Sequence, residues 1–130
     1  MPSRTTGQVE ASACDAVTRF HRDTLGRGPK RVTASLQAKT LLVLLEGVLT
    51  TSEQTLLEAT GVNHARSIEM VREMRNQLMR RSQRELLAAL SGVLGMRASA
   101  TGVMHDIDPE AGSEVLVFRL ADEPCQKRLA

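Results

Sequence analysis

Leu25-Gly26-Arg27-Gly28-Pro29-Lys30 is the stretch on which the fold turns, because a helical pattern runs into it and a strand pattern leaves it. Upstream, Val9, Ala13, Ala16, Val17 and Phe20 recur at helical spacing and share one face. Gly26 is placed to end that helix in the left-handed conformation, and Pro29 stiffens the link into the strand. Downstream, Val32, Ala34 and Leu36 alternate with Arg31, Thr33 and Ser35, the period of a half-buried strand.

The pattern extends outward from there. Gln37–Thr40 reads as a turn. Leu41–Val48 is almost wholly apolar, as in a central strand covered on both faces, one of them in part by a partner chain. Thr50-Thr51-Ser52-Glu53 is a capping box that opens a short helix over 51–60, stopped by Gly61. A long helix comes next, over His64–Gly92. Ile68, Val71, Met74 and Leu78 form one stripe on it, and Leu86, Leu87, Leu90 and Val93 form another. Arg80–Gln83 is a polar break between them. At 1.5 Å per residue this helix is about 43 Å long, against a radius of gyration near 14 Å for a compact domain of this size, an order-of-magnitude figure. Either it bends near Ser82 or its ends pack on a second subunit. Exposed apolar stripes favour the second, a homodimer.

Met96–Met104 is a weak strand and Ser113–Leu120 a strong one, joined by residues 105–112. In the second, Val115 and Val117 share a face with Arg119, while Leu116, Phe118 and Leu120 take the other. These elements predict an α+β fold, an antiparallel sheet of two β-hairpins covered by helices in the order α-β-β-α-α-β-β. Residues 1–8 read as a flexible arm, 9–121 as a single domain and 122–130 as a polar tail.

With 130 residues, 42% of them hydrophobic, the chain can bury a core without staples. It has two Phe, no Trp and no Tyr, which removes the stacking platforms that single-strand binders use. Phe20 and Phe118 fall on apolar faces and belong to the core. A net charge of +2 does not by itself point to nucleic acid. Cys14 and Cys125 have no ligand-like spacing and read as free thiols of a reducing compartment. The N-terminus lacks the apolar core of a signal peptide, so a cytoplasmic protein is expected.

Candidate chemistry is sparse. A Gly-rich turn can aim backbone amides at an anion, which makes Arg27, Gly28, Lys30 and Arg31 candidates for an anion or an acidic partner. The turn lacks the Gly-Lys-Ser/Thr ending of a phosphate loop. Glu46 closes the apolar run and reads as a strand-end carboxylate paired with a nearby arginine. Arg80, Arg81 and Arg84 are the densest uncompensated cations of the long helix, while its other arginines read as a salt-bridged outer face. His105-Asp106-Ile107-Asp108-Pro109-Glu110 gathers metal-type ligands in no zinc or EF-hand spacing. Asp108 before Pro109 fits the cap of a turn better. No nucleophile motif and no carboxylate pair stands out, so neither an enzyme nor a cofactor is expected.

The chain resembles the MpsC-type domain family of bacteria. The resemblance rests on Leu25–Lys30, on Leu45-Glu46-Gly47-Val48-Leu49-Thr50 before a helix, and on Asp106-Ile107-Asp108-Pro109-Glu110 before Val115-Leu116-Val117-Phe118-Arg119-Leu120. It implies association with a sodium-translocating, membrane-potential-generating system. The longest aliphatic run is far below the roughly 20 residues of a spanning helix, so the chain would be a soluble accessory component touching a membrane protein peripherally. A non-catalytic interaction domain is therefore the first functional reading. A nucleic-acid-binding regulator using Arg27, Lys30, Arg80, Arg81 and Arg84 is the second. A ligand sensor or enzyme near Glu46 and Arg27 is the third, and it requires those two to converge with His105 in one pocket.

Overall fold

The computed structural model of the chain describes residues 5–95 and 98–124. Its elements run α1 (Thr6–Leu25), β1 (Arg31–Gln37), β2 (Thr40–Glu46), α2 (Thr51–Leu57), α3 (Val62–Leu94), β3 (Ala100–Asp108) and β4 (Ser113–Leu120). The four strands form one antiparallel sheet in the order β1-β2-β4-β3. The predicted class and element order are those of the structure.

Period-2 alternation sorts every strand into two faces. Leu36, Leu41, Val43, Leu45, Ile107, Leu116, Phe118 and Leu120 point inward and are buried. The register stacks them: Leu41 lies opposite Leu36 and Phe118, and Val43 opposite Ala34 and Leu116. Val9, Ala13 and Val17 of α1 and Leu86, Leu90 and Leu94 of α3 close this core from above. α1 packs on β1 and on α3, α3 packs on β3, and α2 packs on α3. Among the described residues, α1 and α3 thus cover one side of the sheet, and α2 rests on α3.

Several local features differ from expectation. α1 begins at Thr6 rather than Val9. The Thr5 hydroxyl accepts from the Gln8 amide, and the Gln8 side chain accepts from the Thr5 amide. That capping box draws residues 6–8, expected in the arm, into the helix. Strand β3 starts at Ala100 and runs on through Asp108, absorbing half of the predicted connection. The carboxylate of Asp108 then accepts from the Ala111 amide at 3.2 Å and holds the 109–112 turn. Residues 96 and 97 of the predicted strand lie outside the described residues, as does Cys125. Cys14 is free, and burial pushes its thiol pKa up.

α3 runs uninterrupted through Arg80–Gln83 for 33 residues, about 50 Å at 1.5 Å per residue. Its buried line is Ser67, Val71, Arg75, Leu86, Leu90 and Leu94. The second predicted stripe is in the core, with Leu87 and Val93 packed against it, whereas of the first only Val71 is buried. Met70 and Met74 stand 53% and 43% exposed.

At the end of β2, Gly47 has φ +67, and a Cβ there would lie 2.6 Å from Cγ and 2.7 Å from Cβ of Lys30. Lys30 cannot swing its Cβ away, because its amide is pinned to the Glu46 carbonyl at 2.8 Å. Gly47→Ala is expected to cost about 1–3 kcal/mol from the left-handed backbone and the clash. The midpoint of urea unfolding checks this, and an unchanged midpoint would contradict it.

Candidate functional site

The Gly26–Arg31 turn is committed to the fold. Gly26 caps α1 with φ 84, and its amide donates to the Arg22 carbonyl. Arg27 turns its guanidinium inward, where Nη1 donates to the Leu49 carbonyl at 3.0 Å. This ties the end of α1 to the residue before the cap of α2. Gly28 sits against Thr18, and its Cβ position would be 3.5 Å from the Thr18 methyl. Lys30 opens the β1–β2 ladder. The turn is therefore a brace between elements, with Arg27 bonded to a backbone carbonyl, while Lys30 and Arg31 are exposed.

Arg31 and Glu46 are cross-strand neighbours on the face away from the helices, with Nε to Oε2 3.7 Å. The expected carboxylate–arginine pairing is there, but the pair is exposed, not buried. Arg80, Arg81 and Arg84 are exposed on α3, and Arg80 lies 3.6 Å from Glu73. His105 points to the helix side. Glu46 and His105 thus occupy opposite faces of the sheet, so the convergence that a sensor or enzyme at Glu46 and Arg27 requires does not occur.

The structure instead assembles a buried ionic cluster under α1 and α3. Arg75 is 2% exposed although it sits mid-helix among charged neighbours. Its Nε and Nη2 donate to Oε2 and Oε1 of Glu53, both at 2.7 Å, a bidentate geometry that suits guanidinium and carboxylate. Nη2 also donates to the Val48 carbonyl. Glu53 performs two tasks, because its Oε1 also accepts from the Thr50 amide at 2.8 Å in the capping box of α2. On the other side of Arg75, Nη1 lies 3.3 Å from Nε2 of His21 and 3.9 Å from Oε2 of Glu114. His105 Nε2 lies 2.8 Å from the same Glu114 oxygen.

The hydrogen bonds fix the tautomer of His21. An arginine can only donate, so Nε2 of the neutral ring accepts from Arg75. Nδ1 then carries the proton and donates to the Arg27 carbonyl at 3.1 Å. Burial pushes the His21 pKa below its ordinary value, and Arg75 adds to that; the Arg27 carbonyl, Glu114 and Glu53 oppose it. For Glu53, burial alone would raise the pKa. The bonds from Arg75 and Thr50 together outweigh burial and hold the carboxyl below its usual range.

Both shifts have the same sign for stability. The unfolded chain binds protons more readily than the fold at His21 and at Glu53, so stability falls on acidification. The His21 contribution is complete above its unfolded pKa of about 6.5 and declines as pH drops through the lower folded value. The Glu53 contribution declines below about 4.3. The urea midpoint is expected to fall between pH 7 and pH 5 and again below pH 4.5. A midpoint that rises over the first interval would contradict the buried neutral imidazole.

Among the described residues, no buried side-chain nitrogen or oxygen lacks a hydrogen-bond partner. No three His, Cys, Asp or Glu of those residues are grouped as metal ligands. Beside the cluster, a cavity of about 20 Å³ is lined by Val17, His21, Leu78, Met79 and Glu114, room for one water. A separate groove of about 540 Å³ between α1 and α3 carries Asp15, Arg19, Asp23 and Glu85; none of the predicted site residues lines it. The cluster thus bonds to itself and holds α1, α2, α3 and the sheet together.

The other feature that sequence reasoning only half anticipated is the outer face of the sheet. Leu42 and Met104 are 41% and 65% exposed there. Leu44, Val115 and Val117 share the face half-buried. The register makes them contiguous: Leu42 is opposite Val117, Leu44 opposite Val115, and Met104 opposite Val117.

No helix of the described residues is long and apolar enough to cross a membrane. Residues 5–122 match a family model described as Na+-translocating membrane potential-generating system (MpsC). Neither the curated proteins nor the solved structures give a significant match.

Proposed function

Because the chain belongs to the MpsC family, we propose that it is a non-catalytic accessory domain, acting by contact from the cytoplasm on a membrane ion-translocating assembly. One observation carries this reading: a contiguous aliphatic patch lies open on the sheet, while the ionic groups beneath are bonded to one another. Contiguous exposed apolar surface rimmed by polar residues is the ordinary mark of a protein-docking site. The rim is supplied by Arg31, Glu46, Asp106 and Arg119, all on the same face by strand parity. The family description supplies the class of assembly.

The test is purification of the tagged chain from its own cells in mild detergent, with nucleic-acid binding measured alongside. An integral membrane subunit of a cation-translocating complex should co-elute in fixed ratio. Binding to duplex DNA and to single-stranded RNA should be absent. Should no such subunit co-elute, and should nucleic acid instead bind with affinity falling steeply between low and moderate salt, the working surface would be the arginines of α3 and the accessory role would be wrong.

A further inference from the structure

Resting on the reading of the open sheet face as a docking surface, we infer that its immediate occupant is a second copy of this chain, stacked face to face about a two-fold axis parallel to the strands, and that the dimer is the form that meets the membrane assembly.

Strand pairing divides the outer face into four rows that cross the sheet from β1 to β3. They read Arg31–Glu46–Ser113–Asp108, Thr33–Leu44–Val115–Asp106, Ser35–Leu42–Val117–Met104 and Gln37–Thr40–Arg119–Gly102. A two-fold parallel to the strands keeps each row over the same row and reverses its order. Leu44 then meets the second copy's Val115, and Leu42 its Val117. Met104 covers Ser35. Asp106 meets Thr33, and Arg119 meets Thr40. Arg31 meets Asp108, twice by symmetry. No like charges oppose one another, and each aliphatic of the two central strands lies on an aliphatic.

The other face-to-face two-fold, across the strands, lays the second row on the third. It sets Asp106 over Met104 and leaves Arg31 over Gln37, burying a carboxylate against a thioether with no cation to meet it. The pattern of this face therefore selects one packing. Aligned sheets stack within about 30° of parallel, with side chains interdigitating, so the row correspondence survives the twist.

The size of the face sets the strength. Four strands about 4.8 Å apart and seven residues long at about 3.4 Å each give a footprint of roughly 450 Å² per copy. The pair buries roughly 900 Å² in total, just under the roughly 1,000 Å² at which stable specific interfaces begin, which makes it a weak, reversible one. A dissociation constant on the order of micromolar is expected.

A charge-swap mixture tests this. Arg31 and Asp108 of one chain are on opposite edge strands, three strand spacings or about 14 Å apart, so they cannot pair within a chain. Sedimentation velocity of the intact chain up to about 500 µM, far above micromolar, should show monomer and dimer. Arg31→Asp alone and Asp108→Arg alone should each weaken the dimer at least tenfold. An equal mixture should restore it, because the hybrid regains both opposite-charge contacts. Circular dichroism confirms that each variant is folded, and Leu42→Glu should abolish the dimer.

A monomer at every concentration would overturn the inference, as would a dimer indifferent to Leu42→Glu or a mixture that does no better than its parts. Such a monomer that still co-elutes with the membrane subunit, and loses it on Leu42→Glu, would overturn self-association and leave the docking role standing. A dimer that co-elutes with no membrane subunit would support self-association and contradict the accessory role.

Discussion

Arg75→Ala is expected to destabilise the fold by about 3–5 kcal/mol at pH 7, the cost of breaking a buried ion pair by removing one partner. For a chain of this length that is a fall in Tm of roughly 10–20 °C. The side chain makes four kinds of contact at once, with Glu53, Val48, His21 and Glu114. Its loss strands the Glu53 carboxylate in a site that is 2% exposed and leaves His21 Nε2 without its donor. The deficit should shrink at pH 4, where protonation of Glu53 relieves the unpaired charge. A loss below about 1 kcal/mol, the range of an exposed salt bridge, would show that Arg75 is not the buried hub.

Phe118→Ala is the second large effect, at about 3–5 kcal/mol for truncating a fully buried aromatic. Phe118 is 0% exposed and lies between Leu41 of β2 and Val103 of β3 on the inner face. No other aromatic is fully buried in the core, so smaller aliphatics would have to collapse into the space it leaves. On the opposite face, Leu42→Ala should cost under about 1 kcal/mol in the monomer, because surface truncations away from buried features are small. Equal losses at the two positions would contradict the assignment of faces.

The strands were legible because a two-residue period is a strong signal over seven or eight residues. Ser113–Leu120 has the boundaries and faces that alternation predicts. β2 was only half legible: an apolar run does not say which face is covered by its own chain. Leu42 and Leu44 read as covered, in part by a partner chain, and in the single chain they lie on the open side. α3 misled for another reason. Its C-terminal stripe is buried as apolar periodicity predicts, but in the N-terminal half Ser67 and Arg75 join Val71 on the buried line while Met74 faces solvent.

The burial of Arg75 depends on residues 21, 48, 53 and 114, all more than 20 positions distant. Local charge pattern carries no trace of them. The Thr5–Gln8 capping box was visible in the sequence, and only the polar character of its surroundings hid it. The resemblance carried by Leu25–Lys30 proved sound for the family, yet the turn itself is a structural joint, and Arg27 serves a backbone carbonyl.

The central claim is that the open sheet face is the working surface of the domain. Peroxide oxidation of Met104 tests it most directly, with Met70 and Met74 on α3 as references of similar exposure. Thioether oxidation follows exposure, so the rate at Met104 relative to Met70 should fall several-fold on going from dilute purified chain to intact cells. A ratio that is the same in both would mean that nothing covers the face where the protein works, and the account would be wrong.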